Sequence, residues 1–284
     1  MSFDLASQVL QEIASFHATG YHFLQTYKNQ VEGFLRDQPG FNTSGWLGDE
    51  GSETKNRFDQ NLQNMAAGIH ALVLAHGNDP ELADRMEKFI PNTALIIDNC
   101  TASKAHYKFQ TLNHNDLHIN NVMYKKFEDG KATDVTLLDL QLMKYSRPTV
   151  DLAYFFGSST YPSFRQMYLE ELLKIYHQTL TQELTTFGYS PQSDLVQYTF
   201  EDLKDDFEDT WGFGFALACL HIQIVTMDFD SPDGYDPEKI TDEKAEREMM
   251  EKMASLQIQR AAQNKPYLAN VLAMVNEAAE KKII

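Results

Sequence analysis

One short run of this sequence combines residue types that can transfer a phosphoryl group. It has the form His-x-Asp-Leu-x-x-x-Asn over residues 114–121, so that the Asp116 carboxylate is followed five residues later by the Asn121 amide. A carboxylate beside an acceptor hydroxyl can orient it and take its proton, and an amide oxygen can bind a metal ion. A second carboxylate, Asp139, follows after a short interval. Two protein oxygens completed by phosphate oxygens and water are typical of a Mg²⁺ site that holds a nucleotide.

These residues can meet only if the chain between them folds back on itself. Residues 122–124 and 135–138 are short runs with a high preference for β structure, and the polar stretch between them ends in a turn sequence at residues 128–131. A loop, a strand, a turn and a second strand then bring the two carboxylates and the amide to one place. This hairpin is the only β structure that we predict in the chain.

The same residues resemble the catalytic core of the aminoglycoside phosphotransferase and choline kinase group of small-molecule kinases. Within that group they most resemble the animal ecdysteroid kinase-like family, also called CHK kinase-like. That family has a His-Gly-Asp-Leu-Trp-x-Asn-Asn loop, an Ile-Asp-Phe-Gln metal motif and an Asp-Leu-x-Tyr-Phe stretch, which match residues 114–121, 138–141 and 151–155 here. The helix that contains residues 16–18 also resembles the family's Leu-Ala-x-Phe-His-Ala helix. The likeness spans most of the chain.

The resemblance implies a role for each matching residue. Asp116 corresponds to the catalytic base, and Asn121 and Asp139 correspond to the Mg²⁺ ligands of the nucleotide site. His114 corresponds to a residue that braces the catalytic loop, and Asp151 to one that accepts hydrogen bonds from the loop backbone. The implied cofactors are ATP and Mg²⁺. The implied reaction is phosphorylation of a hydroxyl on a small organic molecule, such as an ecdysteroid, another sterol-like alcohol or an amino alcohol.

Two positions of the loop depart from the family pattern. Asn115 replaces the usual Gly, and Asn tolerates left-handed backbone angles better than most residues. His118 replaces the usual Trp, and we expect it to lie near Asp116 and to alter the acceptor pocket.

A larger departure concerns the small lobe of such kinases, which carries a Gly-rich turn, a Lys and a Glu that hold ATP. The residues before His17 contain no Lys and no Gly-rich turn. We therefore expect this chain to be a large lobe alone, from a truncated gene prediction, a fragment or a short isoform. The intact mass of the native protein distinguishes these possibilities.

The expected fold is mostly α-helical with a small β hairpin, as in the large C-terminal lobe of a protein-kinase-like fold. We expect one domain over residues 1–284, with the catalytic loop at 112–124 and the metal motif at 136–141. Apolar spacing predicts a first helix with Asp4 as its N-cap. The other predicted helices span residues 56–76, Pro80 to about Ala105, 161–187 closed by Gly188, 199–225 and a terminal segment from Pro266.

Several features also have simpler or different interpretations. His114, Asp116 and His118 form a His-x-Asp-x-His run that could hold Zn²⁺ in a metal-hydrolase site.

The glycines of residues 45–51 fit a plain loop better than a phosphate loop, and we interpret the acidic segment 228–251 as solvated. The remaining histidines, His17 among them, are most simply packing or surface residues. A catalytically silent binding or regulatory module is the alternative to an enzyme.

Composition limits the partners. The 24 basic and 41 acidic residues give a net charge of −17, which argues against binding to nucleic acid or to anionic membranes. The first residues lack the basic and apolar regions of a signal peptide, and two cysteines do not make a disulfide framework. We expect a cytoplasmic protein whose partner is a small-molecule alcohol; the sequence does not predict its oligomeric state.

Overall fold

The computed structural model describes residues 1–30, 33, 51–102, 104, 106–126, 132–189, 197–224, 259 and 263–284. Over these residues the protein is mostly α-helical and contains two small antiparallel sheets, which confirms the predicted fold class. The helices are α1 (Phe3–Thr26), α2 (Glu53–His76), α3 (Pro80–Phe89), α4 (Thr93–Thr101), α5 (Thr149–Ser159), α6 (Pro162–Thr186), α7 (Phe200–Ile224) and α8 (Lys265–Glu280). The strands are β1 (Thr111–Asn113), β2 (Val122–Lys126), β3 (Ala132–Leu137) and β4 (Lys144–Ser146).

The chain divides into two compact units. The first comprises residues 1–55 and 96–214, and the second comprises residues 56–95 and 215–284. Every residue of the predicted site belongs to the first unit. In the second unit, the Arg85 side chain donates hydrogen bonds to the main-chain oxygens of Ala279 and Ile284, which ties α3 to the end of α8. The prediction of one domain over residues 1–284 stays a prediction.

Helix α1 begins two residues earlier than the sequence suggested. Ser2 is its N-cap, and the Ser2 hydroxyl accepts a hydrogen bond from the Leu5 main-chain nitrogen at 3.3 Å. The prediction of Asp4 as the cap is wrong. Asp4 lies in the first turn, where its negative charge interacts favourably with the positive end of the helix dipole. The apolar face of α1, which includes Val9 and Ile13, is fully buried, and α1 packs against α6 and β1.

The helix predicted between Pro80 and about Ala105 is interrupted. It consists of α3, a short 3-10 helix over Ile90–Asn92, and α4. Pro91 explains the break, because proline has no N–H to donate and its ring clashes with the carbonyl four residues earlier in a helix. The other predicted helices within the described residues are confirmed, including the end of α6, where Gly188 adopts a left-handed backbone with φ of 88°.

The predicted hairpin is confirmed as β2 and β3, which pair Val122 with Leu137 and Met123 with Thr136. Its predicted turn at residues 128–131 lies outside the described residues. The prediction of no further β structure is wrong, because β1 pairs with β4 in a second antiparallel sheet. Three-residue strands are too short for alternation of polar and apolar residues to reveal them.

The second sheet brings together the two ends of the segment that lies between β1 and β4. Asn113 ends β1 and pairs with Lys144, which begins β4. The Asn113 side-chain nitrogen also donates to the Ser146 main-chain oxygen at 3.0 Å. The chain that carries both predicted carboxylates therefore leaves and returns at the same point of the structure.

Two glycines bring α5 and α7 into direct backbone contact. A Cβ atom added at Gly157 would fall well inside the contact distance of the Gly214 main-chain oxygen. A Cβ added at Gly214 would lie 2.6 Å from the Ala153 main-chain oxygen. No side chain can relieve these contacts, because the obstructing atoms belong to the main chain.

We therefore expect Gly157→Ala to destabilise the protein by about 1–3 kcal/mol, the usual cost of overpacking a buried site. At an unobstructed helix position the same change stabilises by roughly 0.5–1 kcal/mol, so the sign is diagnostic. Urea unfolding measures the effect, and Gln166→Ala at an exposed position of α6 is the control, with an expected change within about 0.5 kcal/mol. An unchanged or raised unfolding midpoint for Gly157→Ala contradicts the prediction.

Within the part of the chain that the structure describes, none of the helices has the length and apolar character required to cross a membrane. The acidic segment 228–251 lies outside the described residues, as does all but the last residue of the glycine-containing stretch 45–51. Cys100 and Cys219 are both buried.

Candidate functional site

The Asp116 carboxylate is held at both of its oxygen atoms. The Tyr154 hydroxyl donates to Oδ1 at 2.8 Å, and the Asn121 side-chain nitrogen donates to Oδ2 at 2.9 Å. The Asp116 side chain is nevertheless 15% exposed, so a small molecule can reach it. Each oxygen accepts one of these hydrogen bonds and keeps a lone pair for a further donor. Asp116 is thus a fixed and accessible hydrogen-bond acceptor.

Tyr154 supplies its hydrogen bond from the buried face of α5. Burial raises the pKa of Tyr154 well above its ordinary value, and the negative charge of Asp116 raises it further. The phenol therefore keeps its proton and serves as a donor to Asp116 at neutral pH.

The Asn121 side chain is fixed by the same contact. Its nitrogen donates both to Oδ2 of Asp116 and to the Asp116 main-chain oxygen, each at 2.9 Å. Both hydrogens of the amide are then used, so its oxygen must point the other way. In the described part of the chain no hydrogen bond occupies that oxygen, which leaves it able to bind a cation.

The peptide of Leu138 joins the two halves of the site. Its nitrogen donates to the Asn121 main-chain oxygen at 2.8 Å, and its oxygen accepts from Nε2 of His114 at 2.7 Å. Because Asp139 is the next residue, these two bonds place its backbone beside the loop that carries Asp116. The contact of His114 is of the kind that a bracing role requires.

Asp139 adopts a left-handed backbone conformation, with φ of 63° and ψ of 64°. Such a conformation costs a residue with a side chain of order 1–3 kcal/mol and is often found at functional sites. Its carboxylate is exposed, and its Oδ2 accepts a hydrogen bond from the Gln141 side chain at 3.2 Å. The backbone turns sharply at this residue, where β3 has ended and a short 3-10 helix begins.

Asp151 anchors the main chain at the start of the predicted catalytic loop. Its Oδ2 accepts from the main-chain nitrogen of His114 and its Oδ1 from that of Asn115, both at 2.7 Å. Asp151 is fully buried in the first turn of α5. Asn115 has a φ of 65°, so the backbone there is left-handed, and Asn adopts this conformation at a position where the family has Gly.

His118 lies beside the Asp116 carboxylate. Its Nε2 is 3.6 Å from Oδ1 of Asp116, which is too long for a hydrogen bond. Burial lowers the pKa of His118, although the negative charges of Asp116 and Asp139 oppose that change. The imidazole is therefore neutral at pH 7, and its contact with Asp116 is not an ion pair. As expected from the sequence, His118 does lie near Asp116.

The donor atoms suit Mg²⁺ better than Zn²⁺. The amide oxygen of Asn121 and the carboxylate of Asp139 are hard oxygen ligands of the kind that Mg²⁺ binds. The His-x-Asp-x-His hypothesis requires an imidazole nitrogen of His114, but Nε2 carries a proton that it donates to Leu138, and Nδ1 is buried. Across the described ranges, no three or more His, Cys, Asp or Glu side chains are gathered as a metal-binding group. The Zn²⁺ alternative thus finds no support in the geometry.

Two residues in this network were not assigned a role from the sequence. Tyr154 belongs to the Asp-Leu-x-Tyr-Phe stretch, but the motif alone does not show that its hydroxyl reaches Asp116. His17 was interpreted as a packing or surface residue; it is fully buried, and its Nε2 lies 2.9 Å from Oδ2 of Asp151. The only signal for His17 was its place in the helix that resembles the family.

A mostly helical unit with a hairpin and a braced His-x-Asp loop has the features of a kinase-like large lobe. The model of the ecdysteroid kinase-like family matches residues 1–189, which is well over half of the 284 residues and includes every predicted site residue. The chain therefore belongs to the ecdysteroid kinase-like family. Neither a search of curated proteins nor a search of solved structures found a match. Membership of this family indicates a small-molecule kinase-like phosphotransferase, a class that generally uses ATP.

Proposed function

We propose that this chain carries the catalytic machinery of an ATP-dependent kinase that phosphorylates a hydroxyl of a small organic molecule. The observation that carries the proposal is the Asp116 carboxylate, which is accessible and held at both oxygens by Asn121 and Tyr154. Such a group can orient an acceptor hydroxyl and take its proton, which is the role of the catalytic aspartate in phosphoryl transfer.

Each remaining residue has a role in this proposal. Asn121 and Asp139 would hold Mg²⁺, which neutralises charge on the phosphates of ATP when it is bound. His114 keeps those two ligands together through the Leu138 peptide, since Leu138 is bonded both to His114 and to Asn121. Asp151 fixes the backbone before Asp116 by accepting two main-chain hydrogen bonds.

The proposed acceptor is an ecdysteroid, another sterol-like alcohol or an amino alcohol, which are the substrate classes that the family resemblance suggests. The neutral imidazole of His118 lies next to Asp116 and presents a less apolar surface there than the family's Trp. We also propose a cytoplasmic location, where ATP and Mg²⁺ are available.

Calorimetry with Mg²⁺, with ATP and with both together tests the nucleotide site. Two protein ligands leave most of the Mg²⁺ octahedron to phosphate oxygens and water, so binding of Mg²⁺ alone should be weak and binding with ATP much tighter. His118→Ala is the control, because it removes an imidazole beside the site without removing a proposed Mg²⁺ ligand. Tight Zn²⁺ binding without nucleotide that is lost in His114→Ala and His118→Ala would favour the hydrolase hypothesis.

The alternative of a catalytically silent binding or regulatory module makes a different prediction in the same experiment. Such a module binds an alcohol ligand but shows no Mg²⁺-dependent gain in ATP affinity. The expectation that this chain is a large lobe alone bears on this outcome, and the intact mass of the native protein tests that expectation independently.

A further inference from the structure

His17 connects three distant parts of the first unit. Its Nε2 lies 2.9 Å from Oδ2 of Asp151, and its Nδ1 lies 2.7 Å from the Tyr176 hydroxyl, across 134 and 159 residues of chain. All three residues are fully buried. A buried polar side chain without a partner costs about 1–3 kcal/mol, so three such groups that satisfy one another form a unit.

The partners of His17 determine where its proton lies. The Asp151 carboxylate can only accept, so Nε2 carries a hydrogen and donates it. Burial raises the pKa of Tyr176 well above its ordinary value, and the charge of Asp151 adds to this. The Tyr176 hydroxyl therefore keeps its proton, and it can donate to Nδ1 or accept from it. In either case Nε2 carries the hydrogen that is donated to Asp151.

Asp151 receives three hydrogen bonds on two oxygens. Oδ1 accepts from Asn115, whereas Oδ2 accepts from both His114 and His17. Without the bond from His17, only the two main-chain nitrogens of the loop hold the carboxylate. The bond from His17 adds a third donor, which lies on a different helix and limits rotation of the carboxylate and so movement of the two main-chain nitrogens.

His17 also holds the strand that leads into the loop. Its main-chain oxygen accepts a hydrogen bond from the Thr111 hydroxyl at 2.6 Å, and Thr111 begins β1. The same residue of α1 thus contacts the strand that precedes the loop and the carboxylate that anchors it. Asp116 follows directly after His114 and Asn115, so the anchoring of those two residues also determines the position of the Asp116 main chain.

We propose that His17 is a positioning residue of the catalytic loop, which with Tyr176 fixes the orientation of Asp151 and through it the position of Asp116. His17 touches none of the proposed reacting groups, so its effect passes entirely through Asp151. The kinetic part of this inference rests on the proposed function, whereas the structural part does not.

The unmodified protein provides the first test. Nitrogen-15 NMR of the imidazole should show a hydrogen on Nε2 of His17. An Nε2 without a hydrogen overturns the proposed arrangement, because it then cannot donate to Asp151. This measurement requires no variant and therefore no assumption about how a substitution folds.

Hydrogen exchange at the main-chain nitrogens of His114 and Asn115 is the second test. His17→Leu should speed their exchange roughly tenfold relative to α6, as expected for loss of one hydrogen bond to a charged group. His17→Gln should restore protection, because its side-chain nitrogen can donate from a similar distance. His22→Leu is the matched control on the same helix, since His22 contacts Tyr189 and Phe187 and does not contact Asp151.

Tyr176→Phe removes only one hydroxyl and is the replacement variant if His17→Leu does not fold. It should speed the exchange of the same two main-chain nitrogens by a smaller factor. Unchanged exchange at both main-chain nitrogens in the variants that fold overturns the proposal. If the protein shows turnover, His17→Leu should lower kcat roughly tenfold, in step with the lost hydrogen bond, and leave KM for ATP within a few-fold. A changed exchange rate without any turnover in the unmodified protein would contradict the proposed function while supporting this inference.

Discussion

Replacement of Asp116 by Asn should leave a folded protein that binds Mg²⁺ and ATP but has lost most of its turnover. An amide is close in size to a carboxylate, and its oxygen can accept from Asn121 while its nitrogen donates to the Tyr154 oxygen. The network around position 116 is therefore kept, but the amide cannot take a proton from the acceptor. General-base assistance is worth about 10²–10⁴-fold in rate, or roughly 3–5 kcal/mol of barrier.

Turnover over a panel of steroid and amino-alcohol acceptors measures this effect, together with ATP affinity and melting temperature. Asp134→Asn is the matched control, because Asp134 is an exposed carboxylate on β3 outside the site. Phosphorylation by Asp116→Asn within a few-fold of the unmodified protein means that Asp116 is not the base. A loss of ATP affinity in Asp116→Asn but not in Asp134→Asn points instead to a role in the nucleotide site.

Replacement of Asp139 by Asn should act on binding as well as on rate. The change removes a negative charge that we propose to lie directly on Mg²⁺. Loss of a residue that merely hydrogen-bonds to a metal ligand already costs about 10–100-fold in affinity or activity, so loss of the ligand itself should cost at least about 100-fold. Asn adopts left-handed backbone angles as readily as Asp, so the unusual conformation at position 139 should survive.

The affinity for ATP in the presence of Mg²⁺ distinguishes the two variants. It should fall in Asp139→Asn and hold in Asp116→Asn, and Gln141→Ala controls for the hydrogen bond that the Asp139 side chain accepts. Equal affinity in Asp139→Asn and the unmodified protein would remove Asp139 from the metal site. An unfolded Asp139→Asn would contradict the expectation that the backbone tolerates the change.

The sequence predicted those parts of the structure that have a local signal. The hairpin was predicted from two β-prone runs and a turn, and α6 from apolar spacing closed by Gly188. Glycine after the last turn of a helix is a local feature because only a residue that accepts a positive φ ends the helix in that way. The break at Pro91 is equally local, and the prediction of one helix there gave too little weight to the proline.

The remaining parts depend on contacts between residues that are distant in the chain. His17 lies 134 residues before Asp151, so no local spacing relates them. The sheet of β1 and β4 was missed because each strand has three residues and their pairing is visible only in three dimensions. The hydrogen bond from Tyr154 to Asp116 likewise joins α5 to the loop across 38 residues. The sequence thus predicted which residues are chemically competent, whereas the groups that hold them became visible only in the fold.

The backbone contact between Gly157 and Gly214 bears on how this site can move. Helices that slide past one another do so through small changes in the side chains between them, and at this crossing main chain meets main chain. Asp151 and Tyr154 both lie on α5, so the anchor of the loop and the donor to Asp116 share one closely packed helix. We therefore expect these two groups to keep their positions relative to α7 when a ligand binds.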